Sequence, residues 1–135
     1  LQRKIKNNNH KLINLLLIAS GGALGAVLRF LTSNIFKSIF HYSFFGTLFS
    51  NILGSFLIGL FVYFIKTKNV SQDLIQYFFI IGILGSYTTF SAFSLETIEL
   101  INNNKFLLSS FYIIVSVSLC LIAAYIGMNI EKIIN

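Results

Sequence analysis

Apolar residues come in long blocks along this chain, and the charged ones are confined to the gaps. Residues 12–28, 38–65, 74–95 and 106–130 carry no Asp, Glu, Lys or Arg, giving uncharged runs of 17, 28, 22 and 25 residues. A helix needs about 20 apolar residues to cross the hydrocarbon core of a bilayer. Four blocks of that scale predict an all-α membrane protein, one domain with four transmembrane helices. The expected spans are 11–32, 44–65, 74–94 and 106–130, with short connections at 33–43, 66–73 and 95–105. The tail before residue 11 is polar and Asn-rich and is expected to be loose, and Asn102 to Asn104 read as a turn. Proline is absent, so any helix break must come from Gly and hydroxyl residues.

Composition narrows the class. Only 10% of the 135 residues are charged and 56% are hydrophobic, whereas a soluble domain carries charge on about a quarter of its residues. A soluble enzyme is excluded. The net charge of +6 would fit a nucleic-acid partner only as a basic face on a soluble fold. Here the basic residues flank apolar runs, where they set orientation, so nucleic acid is excluded too. Four spans put both termini on one side. That side collects Arg3, Lys4, Lys6, Lys11, Lys66, Lys68 and Lys132, against Arg29, Lys37 and Lys105 on the other. Seven against three predicts cytoplasmic termini in a multi-pass protein of the cell membrane. The basic tail ahead of the first run resembles a signal peptide, but the run continues to Arg29 with three spans behind it and reads as a retained helix. The single Cys120 allows no intrachain disulfide or Cys-based metal site.

Polar residues inside the spans carry the chemistry, because each is costly in hydrocarbon unless partnered. Small residues recur at four-residue spacing (Gly21 and Gly25; Gly46, Ser50 and Gly54) and read as close helix packing. Thr47, Asn51 and Ser55 stack on one face of the second span; Tyr112, Ser116 and Cys120 do so on the fourth. Ser109, Ser110 and Ser118 are expected to bond to their own backbone. Asn51 has donors that a helix does not satisfy, and an interhelical partner and a ligand are both open for it. The stretch from Gly82 to Ser94 holds two glycines and a run of hydroxyls, and a broken helix is expected there. Carbonyls freed by such a break suit a small hard cation such as Na⁺. Phe90 and Phe93 share a face at i, i+3, and ring edges are positive. Beside amide and hydroxyl donors they would attract an anion without trapping it as a fixed cation would. Asp73, Glu96, Glu99 and Glu131 are placed at span ends, which disfavours proton-coupled transport. His10 and His41 fall in a tail and a loop, and no nucleophile–base pair is evident.

These segments together resemble the Fluc (CrcB) family of small fluoride channels. The matching residues are 21–26 with Arg29, then Gly46-Thr47-Leu48 with Asn51, Gly54-Ser55-Phe56 and Gly59. Gly85 to Phe93, above all Thr88-Thr89-Phe90-Ser91, follows, with Tyr112 and Ser116 in the last span. The resemblance implies an antiparallel, dual-topology dimer with two fluoride pathways and a structural Na⁺ at its centre. It makes Phe90 and Phe93 the ring-edge residues of the pores and Asn51 an amide donor to fluoride, with Thr47 nearer a vestibule. Thr89 and Ser91 join the pathway, as do Tyr112 and Ser116 in a polar track. Gly85 and Thr88 would offer backbone carbonyls to Na⁺, and Arg29 would lie near a vestibule or interface. Glu96 matches an acidic position of open role.

Two positions depart from the pattern. Cys120, whose thiol is a weaker donor than a hydroxyl, stands at the end of the track where family members often have Ser; Ser86 stands where a second Gly is common. A dual-topology homodimer also needs little basic asymmetry. The seven-to-three bias therefore raises the hypothesis that this chain inserts mainly one way and pairs with an oppositely oriented paralogue. Two other classes compete with the channel. A small multidrug-resistance-type proton-coupled exporter would need a carboxylate in the first span, where only Asn14 and Ser20 are found. For a non-transporting assembly factor, the glycine stripes alone would suffice.

Overall fold

The computed structural model describes residues 2–67 and 72–134, with side chains over 9–66 and 72–134. The side chains of Arg3, Lys4 and Lys6, and all of Lys68, which enter the charge asymmetry, lie outside the described residues. Helix α1 (Gln2–Phe40) leads into α2 (Phe44–Thr67), then a π-helix (Leu74–Leu84) that continues as the single turn α3 (Gly85–Tyr87). Helices α4 (Phe90–Asn102), α5 (Phe106–Met128) and the short α6 (Ile130–Ile134) complete the order. Among the described residues four stretches are long and apolar enough to cross a membrane: Asn9–Phe40, Phe44–Lys66, Leu74–Asn102 and Phe106–Met128.

Several boundaries differ from the expected ones. The tail is helical from Gln2, and the first helix runs on through 33–40 instead of ending at residue 32. Nothing in 33–40 breaks a helix: it holds neither Gly nor Pro, and its polar residues come only in pairs between apolar ones. The helix stops where His41 turns left-handed (φ 63°). Helix α4 likewise continues to Asn102, because Phe93, Glu96, Thr97 and Leu100 form a buried stripe at helical spacing. Asn104, at φ 58°, reverses the chain, as Asn tolerates better than most residues. The last long helix ends at Met128, not Ile130.

Helix α1 packs chiefly on the π-helix, and α2 on α5. Glycines permit both contacts. A Cβ on Gly82 would lie 2.9 Å from the Gly21 Cα, and one on Gly25 would overlap the Ile83 carbonyl. At the second contact, a Cβ on Gly59 would lie 2.9 Å from the Met128 nitrogen, and one on Gly127 2.8 Å from that of Leu60. Such approach gains dispersion energy where lipid supplies no hydrophobic drive. In the π-helix, hydrogen bonds skip one residue more than in an α-helix; the Gly85 N–H reaches the Ile80 carbonyl in this way. A small core of Phe44, Phe93, Leu100 and Tyr112, with Phe45 and Leu48 against it, joins α2, α4 and α5.

Candidate functional site

The site grows from two residues, Thr88 (φ −80°, ψ 151°) and Thr89 (φ −152°, ψ 118°), which lie extended between α3 and α4. Apart from the Thr88 N–H, which keeps its bond to the carbonyl four residues back, their backbone groups leave the helical pattern and need other partners. The Thr88 N–H and hydroxyl both donate to the Leu84 carbonyl, at 3.0 and 2.8 Å. The Thr89 N–H donates to Asn51 Oδ1 at 2.7 Å, while Asn51 Nδ2 donates to the Thr89 carbonyl at 3.0 Å. Thr89 Oγ1 in turn caps α4 by accepting the Ala92 N–H at 3.1 Å, and shares a hydrogen bond with Ser91 Oγ. Tyr87, buried just ahead, meets Thr32 of α1 at 3.2 Å between hydroxyl oxygens.

Beside this linker lies a cavity of about 330 Å³. Asn51, Thr88, Thr89, Phe90, Phe93 and Ser116 line it, with Ser55 and Cys120 further along and Ile58, Val117 and Leu121 as apolar wall. No charged side chain lines it. Phe93 is 8% exposed and Phe90 76%; their ring centroids are 5.4 Å apart, and Phe93 lies 5.2 Å from the Tyr112 ring. Ser116, 5% exposed, has a hydroxyl with no hydrogen-bond partner among the described residues, as does Ser50.

Beyond the cavity the polar stripes meet a residue that was placed wrongly. Glu96 is not at a span end: it is 9% exposed, inside α4 and the third span. Thr47 Oγ1 donates to its Oε1 and Tyr112 Oη to its Oε2, each at 2.9 Å. The stripe from Phe93 to Leu100 carried the signal, since Glu96 follows Phe93 by three residues on one face. Ser109 was also misread. It bonds not to its own helix but to the Thr97 carbonyl of α4, at 3.4 Å.

Of the other expected site residues, Ser91 is exposed and touches the site through Thr89, and Gly85 is exposed, where a Cβ would meet only the Ile80 carbonyl oxygen, at 3.5 Å. Arg29 is half-buried on α1 and does not line the cavity. The structure thus brings Asn51, Thr88, Thr89, Phe90, Phe93 and Ser116 to one cavity and joins Thr47 and Tyr112 through Glu96. A cavity lined by neutral polar groups and aromatic rings can hold an anion and still release it.

The family described as CrcB-like protein, Camphor Resistance (CrcB), matches residues 16–128. A fluoride-specific ion channel FluC of Campylobacter jejuni is 44% identical over 119 residues, 87% of this chain and 97% of the relative. Channels of the same name from Flavobacterium psychrophilum and Shewanella baltica are each 42% identical, covering 85% and 87% of this chain and 94% of each relative. The chain belongs to the CrcB family.

Proposed function

We infer that this chain is a fluoride-selective ion channel of a cell membrane and works passively, relieving cells of accumulated fluoride. The match to fluoride-specific channels along nearly their whole length carries the reading. The proton-coupled exporter is set aside on the same ground. The absence of an intramembrane carboxylate no longer serves against it, because Glu96 is buried in the third span.

The proposed path runs through the 330 Å³ cavity. Asn51 donates an N–H to fluoride, Phe90 and Phe93 present ring edges, and Thr89 and Ser91 flank them with hydroxyls. Ser116 offers a buried hydroxyl without a hydrogen-bond partner among the described residues. Thr47 and Tyr112, turned toward Glu96, continue the polar track, and Arg29 serves a vestibule or interface.

A second subunit in the opposite orientation completes the proposed channel. Phe90, Ser91 and Gly85 lie exposed on one chain, next to a non-helical linker that lipid would not tolerate uncovered. The residues also suit a structural Na⁺ at the shared face. In an unbroken helix the Gly85 carbonyl would receive the Thr89 N–H, and the Thr88 carbonyl the Ala92 N–H. Asn51 and the Thr89 side chain take those two donors, which leaves two hard oxygen ligands free. A bound Na⁺ would supply a fixed positive charge tying the two linkers together.

The basic asymmetry favours a paralogue as the second subunit. Cells lacking their own fluoride export should regain growth on fluoride when they express this chain beside a copy carrying Arg3→Gln, Lys4→Gln, Lys6→Gln and Lys11→Gln, whose insertion is less biased. Rescue by the unaltered chain alone would reinstate the homodimer. No rescue with either combination, at normal membrane expression, would oppose the fluoride reading.

A further inference from the structure

We propose that the Thr89 peptide sets the sign of ion the cavity accepts, by fixing which way the Asn51 amide faces. This rests on the fluoride path proposed above and concerns its selectivity. A carboxamide is ambivalent: its oxygen accepts, its nitrogen donates two hydrogens, and the two ends have nearly the same shape. Turned one way it offers an N–H to an anion; turned the other, it offers a carbonyl to a cation.

The linker removes that freedom. In extended backbone a residue's N–H and C=O project to the same side, as in the paired residues of an antiparallel ladder. Thr89 is extended, and it presents both groups to Asn51. Its N–H meets Oδ1 at 2.7 Å and its C=O meets Nδ2 at 3.0 Å. A flipped amide would set donor against donor and acceptor against acceptor. Only one orientation makes both bonds. That orientation holds the Asn51 oxygen against the linker. One hydrogen on Nδ2 is used by Thr89; the other has no partner among the described residues, on a side chain that lines the cavity. The cavity therefore meets a donor, and a neutral side chain becomes anion-selective without a cation. The close approach of α2 keeps Asn51 in reach: one turn on, a Cβ at Gly54 would overlap the Thr88 methyl group.

The test replaces Thr89 by its α-hydroxy acid, a backbone ester that keeps the side chain and the Thr89 carbonyl, removes the orienting N–H and leaves the Thr88 carbonyl as a weaker, ester acceptor. In proteoliposomes the ester protein should pass fluoride about tenfold more slowly or worse, the effect of losing one hydrogen bond to an ion, with unchanged helical content. Undiminished flux would overturn the lock. Absence of flux in the unmodified protein would instead overturn the underlying fluoride path. A second measurement covers an ester protein that does not fold. In unmodified protein with the Asn51 side chain isotopically labelled, fluoride should shift one Nδ2 hydrogen and leave the other, bonded to Thr89, unmoved. If neither moves in a conducting preparation, or both move equally, the lock is wrong.

Discussion

Phe93→Ile should reduce fluoride flux by about 30-fold while the protein still assembles. The estimate takes the ring edge facing a desolvated ion to be worth about 2 kcal/mol, the size of a buried cation–ring contact of opposite sign, and converts it at 1.36 kcal/mol per factor of ten. Isoleucine is apolar and keeps most of the volume, so the core of Phe44, Leu100 and Tyr112 should stay closed. What it lacks is a positive edge. Phe90 is much more exposed on the single chain, and Phe90→Ile should disturb the fold still less. Fluoride efflux from liposomes, together with the elution volume of the purified variants, checks both halves. Normal flux in both variants would remove the ring-edge mechanism.

Glu96→Ala should lower both stability and flux. Two hydroxyls, of Thr47 and Tyr112, end on this carboxyl group, and both are buried. Each orphaned hydroxyl costs about 1–3 kcal/mol. Thr47 can turn back to a carbonyl of its own helix, as Thr residues in membrane helices do; Tyr112, at the end of a rigid ring, has no such recourse. The expected loss, from the one hydroxyl left without a partner, is about 1–3 kcal/mol. Glu96→Gln keeps one acceptor and a similar shape, and should retain most of the stability. Thermal unfolding of the two variants decides it. Equal loss in both would mean that the contact with the hydroxyls is not what Glu96 contributes.

Much of the fold was legible in the sequence, for a physical reason. Hydrocarbon forbids charge, so the gaps between charges mark spans, and four spans follow from counting. The helix ends were less legible. The stretch 33–40 looked like a loop because Ser33, Asn34 and Lys37 are polar, yet polar residues beyond the hydrocarbon do not stop a helix. Left-handed His41 does, and a positive φ at His has little signature. Gly21, Gly25 and Gly127 were read as packing glycines or passed over, and the backbones against them bear out the packing view.

At the site, residue types pointed to chemistry but not to partners. Asn51 left a choice between an interhelical partner and a ligand. The structure gives it an interhelical partner in the Thr89 peptide and leaves one hydrogen over. Glu96 was missed because the third span was cut at residue 94. A terminal carboxylate reads as solvated, and only the stripe through Phe93, Glu96 and Leu100 says otherwise. Ser109 escaped for a different reason, since a hydroxyl that bonds across to another helix looks in sequence like one that bonds to its own.

The central claim is that a chain with no charged side chain lining its cavity selects fluoride. Liposomes loaded with potassium fluoride or potassium chloride, given valinomycin to carry the potassium, test it directly. Detergent removes the insertion bias before reconstitution, so this chain can be tested alone. The account predicts rapid release of fluoride, read by an ion-selective electrode, and no release of chloride. Folded protein that releases neither ion, or releases both at similar rates, would contradict it.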